Sequence, residues 1–110
     1  IIRKYKKFGI NFPKLIHKFS YVSKTSIIED GVQIFSGSII NTNSQIKSHS
    51  VINTGSIIEH DCYIGENSYI CPGVIILGSC MIGKSTIIGS KNIILPKTNV
   101  INNSFIKAKI

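Results

Sequence analysis

From Ile16 onward, every sixth residue is isoleucine or valine, running through Val22, Ile28 and Ile34 to Val100 and Ile106 without one slip in register. An amphipathic helix repeats near 3.6 residues and a half-buried strand alternates at 2, so a period of six fits neither alone. Four residues beyond each aliphatic the side chain is nearly always small, as at Ser38, Ser44, Ser50, Ser56, Cys62, Ser68 and Cys80. Three residues beyond, the chain reads Gly31, Gly37, Asn43, His49, Gly55, Asp61, Asn67 and Gly73, types that tolerate a positive φ. Each hexad is therefore predicted to be a short strand with one large and one small inward side chain, followed by a corner. Three corners close a triangle, and the eighteen-residue spacing of Gly37, Gly55 and Gly73 marks one complete coil. The pattern predicts an all-β left-handed parallel β-helix over residues 16–110, in about five coils stacked at roughly 4.8 Å, with isoleucine ladders as its core.

The residue just before each inward aliphatic points outward. On one flank these are Tyr21, Ile39, Ile57, Ile75 and Ile93, while the other two flanks mix polar and apolar types. A continuous apolar stripe on a prism marks an interface, and a homotrimer of parallel prisms is the expected closed form. Residues 1–15, IIRKYKKFGINFPKL, do not share the hexad. Ile1, Ile2, Tyr5 and Phe8 suggest one face of a short N-terminal helical segment, with Gly9 as its stop. This basic segment is expected to be the end of a missing α/β domain or a cap on the first coil.

The composition narrows the class. The chain has 110 residues, of which 43% are hydrophobic and 16% charged; that is too apolar for a disordered chain. Its apolar runs fall well short of the ~20 residues that a membrane span needs. Residue 1 is isoleucine and no signal-peptide pattern follows, so a piece of a longer chain is expected. Three cysteines, an odd number, argue against a disulfide framework and for a reduced, cytoplasmic compartment. The net charge of +8 is lopsided: residues 1–28 hold seven cations and no acid. No nucleic-acid-binding motif accompanies that charge, so no nucleic-acid partner is expected. A basic head reads as a solvated helix end, or as a preference for phosphates.

One polar feature interrupts the apolar repeat. His60 lies between Glu59 and Asp61, two residues past Ile58, where the chain turns on the apolar flank. Imidazole titrates near neutrality and can take a proton from an amine or hydroxyl. A neighbouring carboxylate can fix its tautomer and stabilise the imidazolium, and Asp61 and Glu59 are both candidates. A corner histidine can equally be only a turn residue. Asp61 also sits in a column where Asp, Asn and Gly recur for backbone reasons.

The stretch INTGSIIEHDCYIGENSYICPGVIILG, residues 52–78, resembles the hexapeptide-repeat sugar acetyltransferases of the sialic-acid O-acetyltransferase and UDP-4-amino-sugar N-acetyltransferase type. GINFPKLIHKFSYVS, upstream, resembles the join between that family's N-terminal domain and its β-helix. The resemblance implies acetyl transfer from acetyl-CoA to a sugar or nucleotide-sugar amine or hydroxyl, by trimers with sites between subunits and without a metal. Carried over by motif, it implies that His60 is the base and Asp61 its supporting acid. It implies that Asn53 lies near the reacting groups, and that the Gly78 N–H faces the thioester carbonyl as an oxyanion donor. A second histidine commonly falls nine residues after the first; here Tyr69 takes that place as a substrate-binding candidate. Residues 105–110 read FIKAKI where glycines would be expected to line the CoA channel.

Rival readings rest on fewer residues. Cys62 as an acyl nucleophile conflicts with its place in the small inward column, which it shares with Cys80 one coil on. A zinc site would need histidines brought together, but His17, His49 and His60 occupy different hexad phases. No regular threonine array forms of the kind ice-binding helices need. The alternative that stays open is a catalytically degenerate trimeric scaffold or fragment.

Overall fold

The computed structural model describes residues 12–110. The expected N-terminal helical segment lies outside the described residues as far as residue 11, and the chain enters its first strand at Leu15. Sixteen two-residue strands follow at six-residue intervals and wind into a left-handed parallel β-helix. One face stacks Leu15–Ile16, Gln33–Ile34, Val51–Ile52, Tyr69–Ile70, Ile87–Ile88 and Phe105–Ile106. The second stacks Tyr21–Val22, Ile39–Ile40, Ile57–Ile58, Ile75–Ile76 and Ile93–Ile94, and the third Ile27–Ile28, Gln45–Ile46, Tyr63–Ile64, Met81–Ile82 and Asn99–Val100. Every pairing is parallel with an offset of eighteen, as where Ile57 meets Ile75.

The hexad explains this winding. The second residue of each strand points inward, and from Ile34 to Ile88 these side chains are 0–1% exposed. Each such burial contributes about 1.5–3 kcal/mol, and their stacking leaves no room for an inserted residue. The small inward column can be polar because its hydroxyls are satisfied. Ser44 Oγ donates to the Glu59 carbonyl and Ser56 Oγ to the Cys71 carbonyl, each at 2.7 Å. Asn92, later in the same column, makes the equivalent bond from its Nδ2 to the Lys107 carbonyl at 2.6 Å.

The corners turn through one residue of positive φ. Gly37, Asn43, Gly55, Asp61, Asn67 and Gly73 adopt it, as expected, but so do Ser79, Ser85, Lys91 and Lys97, at φ between 54° and 64°. The left-handed conformation costs such residues about 1–2 kcal/mol, which the ladders on either side outweigh. On the outward side of the second face, Ile39, Ile57 and Ile75 are half-buried, while Tyr21 and Ile93 at its ends are 57% and 59% exposed.

Candidate active site

His60 sits at the corner joining the second face to the third, carried there by the strand Ile57–Ile58 and released into Tyr63–Ile64. The next residue, Asp61, takes the left-handed turn position at φ 58°. That turn swings its carboxylate back toward the ring, and Nδ1 of His60 lies 2.9 Å from Asp61 Oδ2. A carboxylate can only accept, so Nδ1 carries the proton in this contact. Both side chains are more than half exposed. Glu59, the other carboxylate candidate, is engaged elsewhere: its Oε2 accepts from Asn41 Nδ2, one coil below, at 3.1 Å.

Gly78 lies one coil above His60, and the imidazole rests on it. A Cβ added at Gly78 would stand 2.5 Å from Nε2 and 2.7 Å from Cε1 of that ring. The Gly78 carbonyl accepts from the Lys97 amide of the next coil. The column one residue before His60 runs upward from Asn41 and Glu59 to Leu77, half-buried, and Leu95, 66% exposed, so it changes from polar to apolar.

Asn53 and Tyr69 form a second unit. Asn53 Nδ2 donates to Tyr69 Oη at 2.7 Å, and Asn53 Oδ1 accepts from the Thr54 amide at 2.7 Å. With its oxygen taken by Thr54, Asn53 is held in one orientation, and the Tyr69 proton stays free to be donated outward. Asn53 belongs to the corner that enters the second face, and Tyr69 reaches it from the first face, whereas His60 belongs to the corner that leaves the second face. The chain therefore brings His60, Asp61 and Gly78 together, and separately Asn53 and Tyr69. The two groups stand at opposite edges of the second face, with the isoleucine stripe between them.

The remaining candidates are structural. Cys62 is buried, its Sγ 3.2 Å from the Leu77 carbonyl, and burial pushes its thiol up to about 11, so no thiolate nucleophile is present near neutrality. Cys62, Cys71 and Cys80 are all free thiols. His17 caps its own turn, its Nδ1 accepting from the Phe19 amide at 3.1 Å. Among the described residues no three His, Cys, Asp or Glu side chains gather as metal ligands would, and no helix is long and apolar enough to cross a membrane. The sequence reading missed the Asn41–Glu59 contact and the seating of the imidazole on Gly78. The difference of eighteen between 60 and 78, one full coil, is the signal that could have shown the second.

The profile of the bacterial transferase hexapeptide, six repeats long, matches residues 43–78 and 61–96. No curated protein sequence matches the chain. Among solved structures, the acetyltransferase domain of PglB from Neisseria gonorrhoeae, in complex with acetyl coenzyme A, superposes with a TM-score of 0.95. It is 26% identical, over 97% of this chain and 52% of that one. PerB from Caulobacter crescentus, in complex with CoA and GDP-perosamine, superposes with a TM-score of 0.65 at 26% identity, over 89% of this chain and 56% of that one. Serine acetyltransferase from Neisseria gonorrhoeae shares the fold alone, at 16% identity and a TM-score of 0.66. The chain thus carries the hexapeptide repeat of bacterial transferases over residues 43–96 and shares its coil with hexapeptide-repeat acetyltransferases. The chain spans about half the length of the first two of these solved structures.

Proposed function

We propose that the chain is the transferase core of an acetyl-CoA-dependent sugar acetyltransferase, and that His60 is its general base. The observation that carries this reading is the His60–Asp61 pair. Asp61 holds the Nδ1 proton at 2.9 Å, which leaves Nε2 as the nitrogen that can accept one. The likeness to acetyl-CoA-bound PglB and to PerB with its nucleotide sugar supports the donor and the class of acceptor, a sugar or nucleotide-sugar amine or hydroxyl.

In this mechanism Nε2 takes the proton of the acceptor as its nitrogen or oxygen forms a bond to the thioester carbonyl carbon. The carbonyl π electrons move to oxygen, where the Gly78 N–H stabilises the charge. The carbon–sulfur bond then breaks, and the proton held on Nε2 passes to the departing CoA sulfur. His60 returns to its starting form without an acyl-enzyme intermediate. The apolar surface of Leu77 and Leu95, in the column next to that of His60 and Gly78, fits an alkyl-rich donor arm, and Asn53 with Tyr69 supplies hydrogen-bond donors for an acyl or sugar oxygen.

One copy cannot bring both groups to one substrate, since they flank the second face from opposite sides. Three prisms turning that face toward a common axis would bury the Ile39, Ile57 and Ile75 stripe, and would set the His60 edge of one copy beside the Asn53–Tyr69 edge of the next. A homotrimer is therefore part of the proposal, as is a reducing, cytoplasmic setting for its free thiols. The test is release of CoA thiol from acetyl-CoA with a panel of amino sugars and nucleotide-linked amino sugars. His60→Ala is expected to lower the rate by roughly 10²–10⁴-fold. Activity that survives this substitution would reject His60 as the base, and an intact trimer that acetylates nothing would favour the degenerate scaffold.

A further inference from the structure

We propose that Gly78 is a positioning residue for the His60 ring, and that its lack of a side chain serves this seat in addition to any use of its N–H. The inference rests on the reading of His60 as the base. Three observations carry it. First, the backbone does not ask for glycine, since the φ of Gly78 lies outside the left-handed region. Second, the coil does not ask for it either: the equivalent corner position in the other coils holds Lys24, Thr42, His60 and Pro96. Third, the obstruction to a Cβ differs from that at other glycines. At Gly65 a Cβ would meet the backbone of the coil above, with Lys84 N at 2.5 Å and Gly83 C at 2.7 Å. At Gly78 the three nearest atoms are Nε2, Cε1 and Cδ2 of His60, at 2.5, 2.7 and 3.2 Å.

Any side chain at 78 would thus lift the imidazole off its seat. Asp61 fixes one edge of the ring through Nδ1, and Gly78 receives the other edge, which bears the reacting nitrogen. The two contacts together hold Nε2 over the place a Gly78 Cβ would take, so that the base keeps one spacing to the residue whose amide is the proposed oxyanion donor. Because the ring is largely exposed, it can swing aside, and the fold tolerates the change while the geometry does not.

Gly78→Ala separates the two uses of this residue, since alanine keeps the N–H and adds only the methyl. The expected result is a fall in kcat of about 100-fold, as for a reacting group displaced by about 1 Å, with KM for acetyl-CoA changed by less than about 3-fold. In a His60→Ala background the same substitution is expected to lower the residual rate no further. Losses that multiply in the double variant, or a loss carried by KM alone, would overturn the proposal in favour of a methyl that crowds the donor. A second measurement needs no variant and no turnover. In the wild-type protein, the His60 Hε1 or Hδ2 proton is expected to show a nuclear Overhauser contact with the Gly78 Hα protons. Its absence would overturn the seat even in an active enzyme, and its presence in a protein that acetylates nothing would leave the seat standing while the proposed function fell.

Discussion

Two corner histidines of this prism each lie against a glycine of a neighbouring coil, and they could hardly be used more differently. His60 projects outward over Gly78, with Asp61 on Nδ1 and most of the ring in solvent. His49 folds down over Gly31, meets the Phe12 ring edge-on at 5.0 Å, and leaves its Nε2 buried without a partner. His49 itself occupies the left-handed turn position, at φ 63°, whereas His60 stands one residue before it. From the turn position the His49 ring lies down the wall against Gly31 and Phe12, whereas His60, one position earlier, keeps more than half of its side chain in solvent, where it can meet a substrate. Residue type alone does not mark a base, but its phase within the hexad separates the two.

The contrast breaks most visibly in paired substitutions. His60→Asn is expected to cost roughly 10²–10⁴-fold in acetyl transfer and to leave the unfolding temperature almost unchanged. His49→Asn should do the reverse: asparagine tolerates the left-handed turn, the packed ring is lost, stability falls by about 1 kcal/mol, and the rate stays near wild type. Turnover and thermal unfolding measured on both variants decide it, and a rate loss in His49→Asn comparable to that in His60→Asn would remove the distinction.

The two glycines sharpen the comparison further. Gly31 is held at φ +74° and a Cβ there would strike the His49 ring, so Gly31→Ala faces both backbone strain and a clash. About 2 kcal/mol of destabilisation is expected. In a His49→Asn background the clash goes and the backbone cost of about 1 kcal/mol remains. Chemical denaturation of the two single variants and the double variant measures this. Strictly additive losses would mean that the His49 ring does not press on Gly31.

Much of the fold could be read in the sequence because one period governs the interior, and an uninterrupted column of sixteen aliphatics admits one winding. The corners were legible only in part. Glycine, asparagine and aspartate mark the turn as far as Gly73, yet Ser79, Ser85, Lys91 and Lys97 hold the same conformation. There the stacked ladders impose the turn, and the residue accommodates it. At the candidate site, the outward position of His60 followed from its phase, but the choice of Asp61 over Glu59 did not. Both flank His60 in sequence, and only the Asn41 amide reaching up from the coil below draws Glu59 away. The division of the five candidates between two corners was also available, since 53 and 60 fall in successive hexads, though family likeness alone gathers them into one list. The expected helix over the first residues lies outside the described part of the chain.

The smallest expected effect concerns the corner that His49 shares. There Glu29 meets Lys47 at 2.7 Å and also accepts from the Ser48 amide at 3.0 Å. The Lys47 contact, aided by Ser48, holds the Glu29 carboxyl below its ordinary 4.5 against a partial opposing effect of burial. A carboxyl that is more acidic in the folded state stabilises that state above its unfolded value and ceases to do so as the pH falls through the folded one. Wild type is therefore expected to unfold at a slightly higher temperature than Glu29→Gln at pH 7, with the gap closing as the pH drops from about 5 toward 3. Salt at 1 M should narrow the pH 7 gap, since both side chains are partly exposed. His60→Asn measured over the same range should leave this gap untouched, because its corner is a different edge of the prism. A gap that persisted to pH 3, or widened there, would show that Glu29 supports this corner by packing and not by charge, and the two corners would then differ in less than the contrast between their histidines implies.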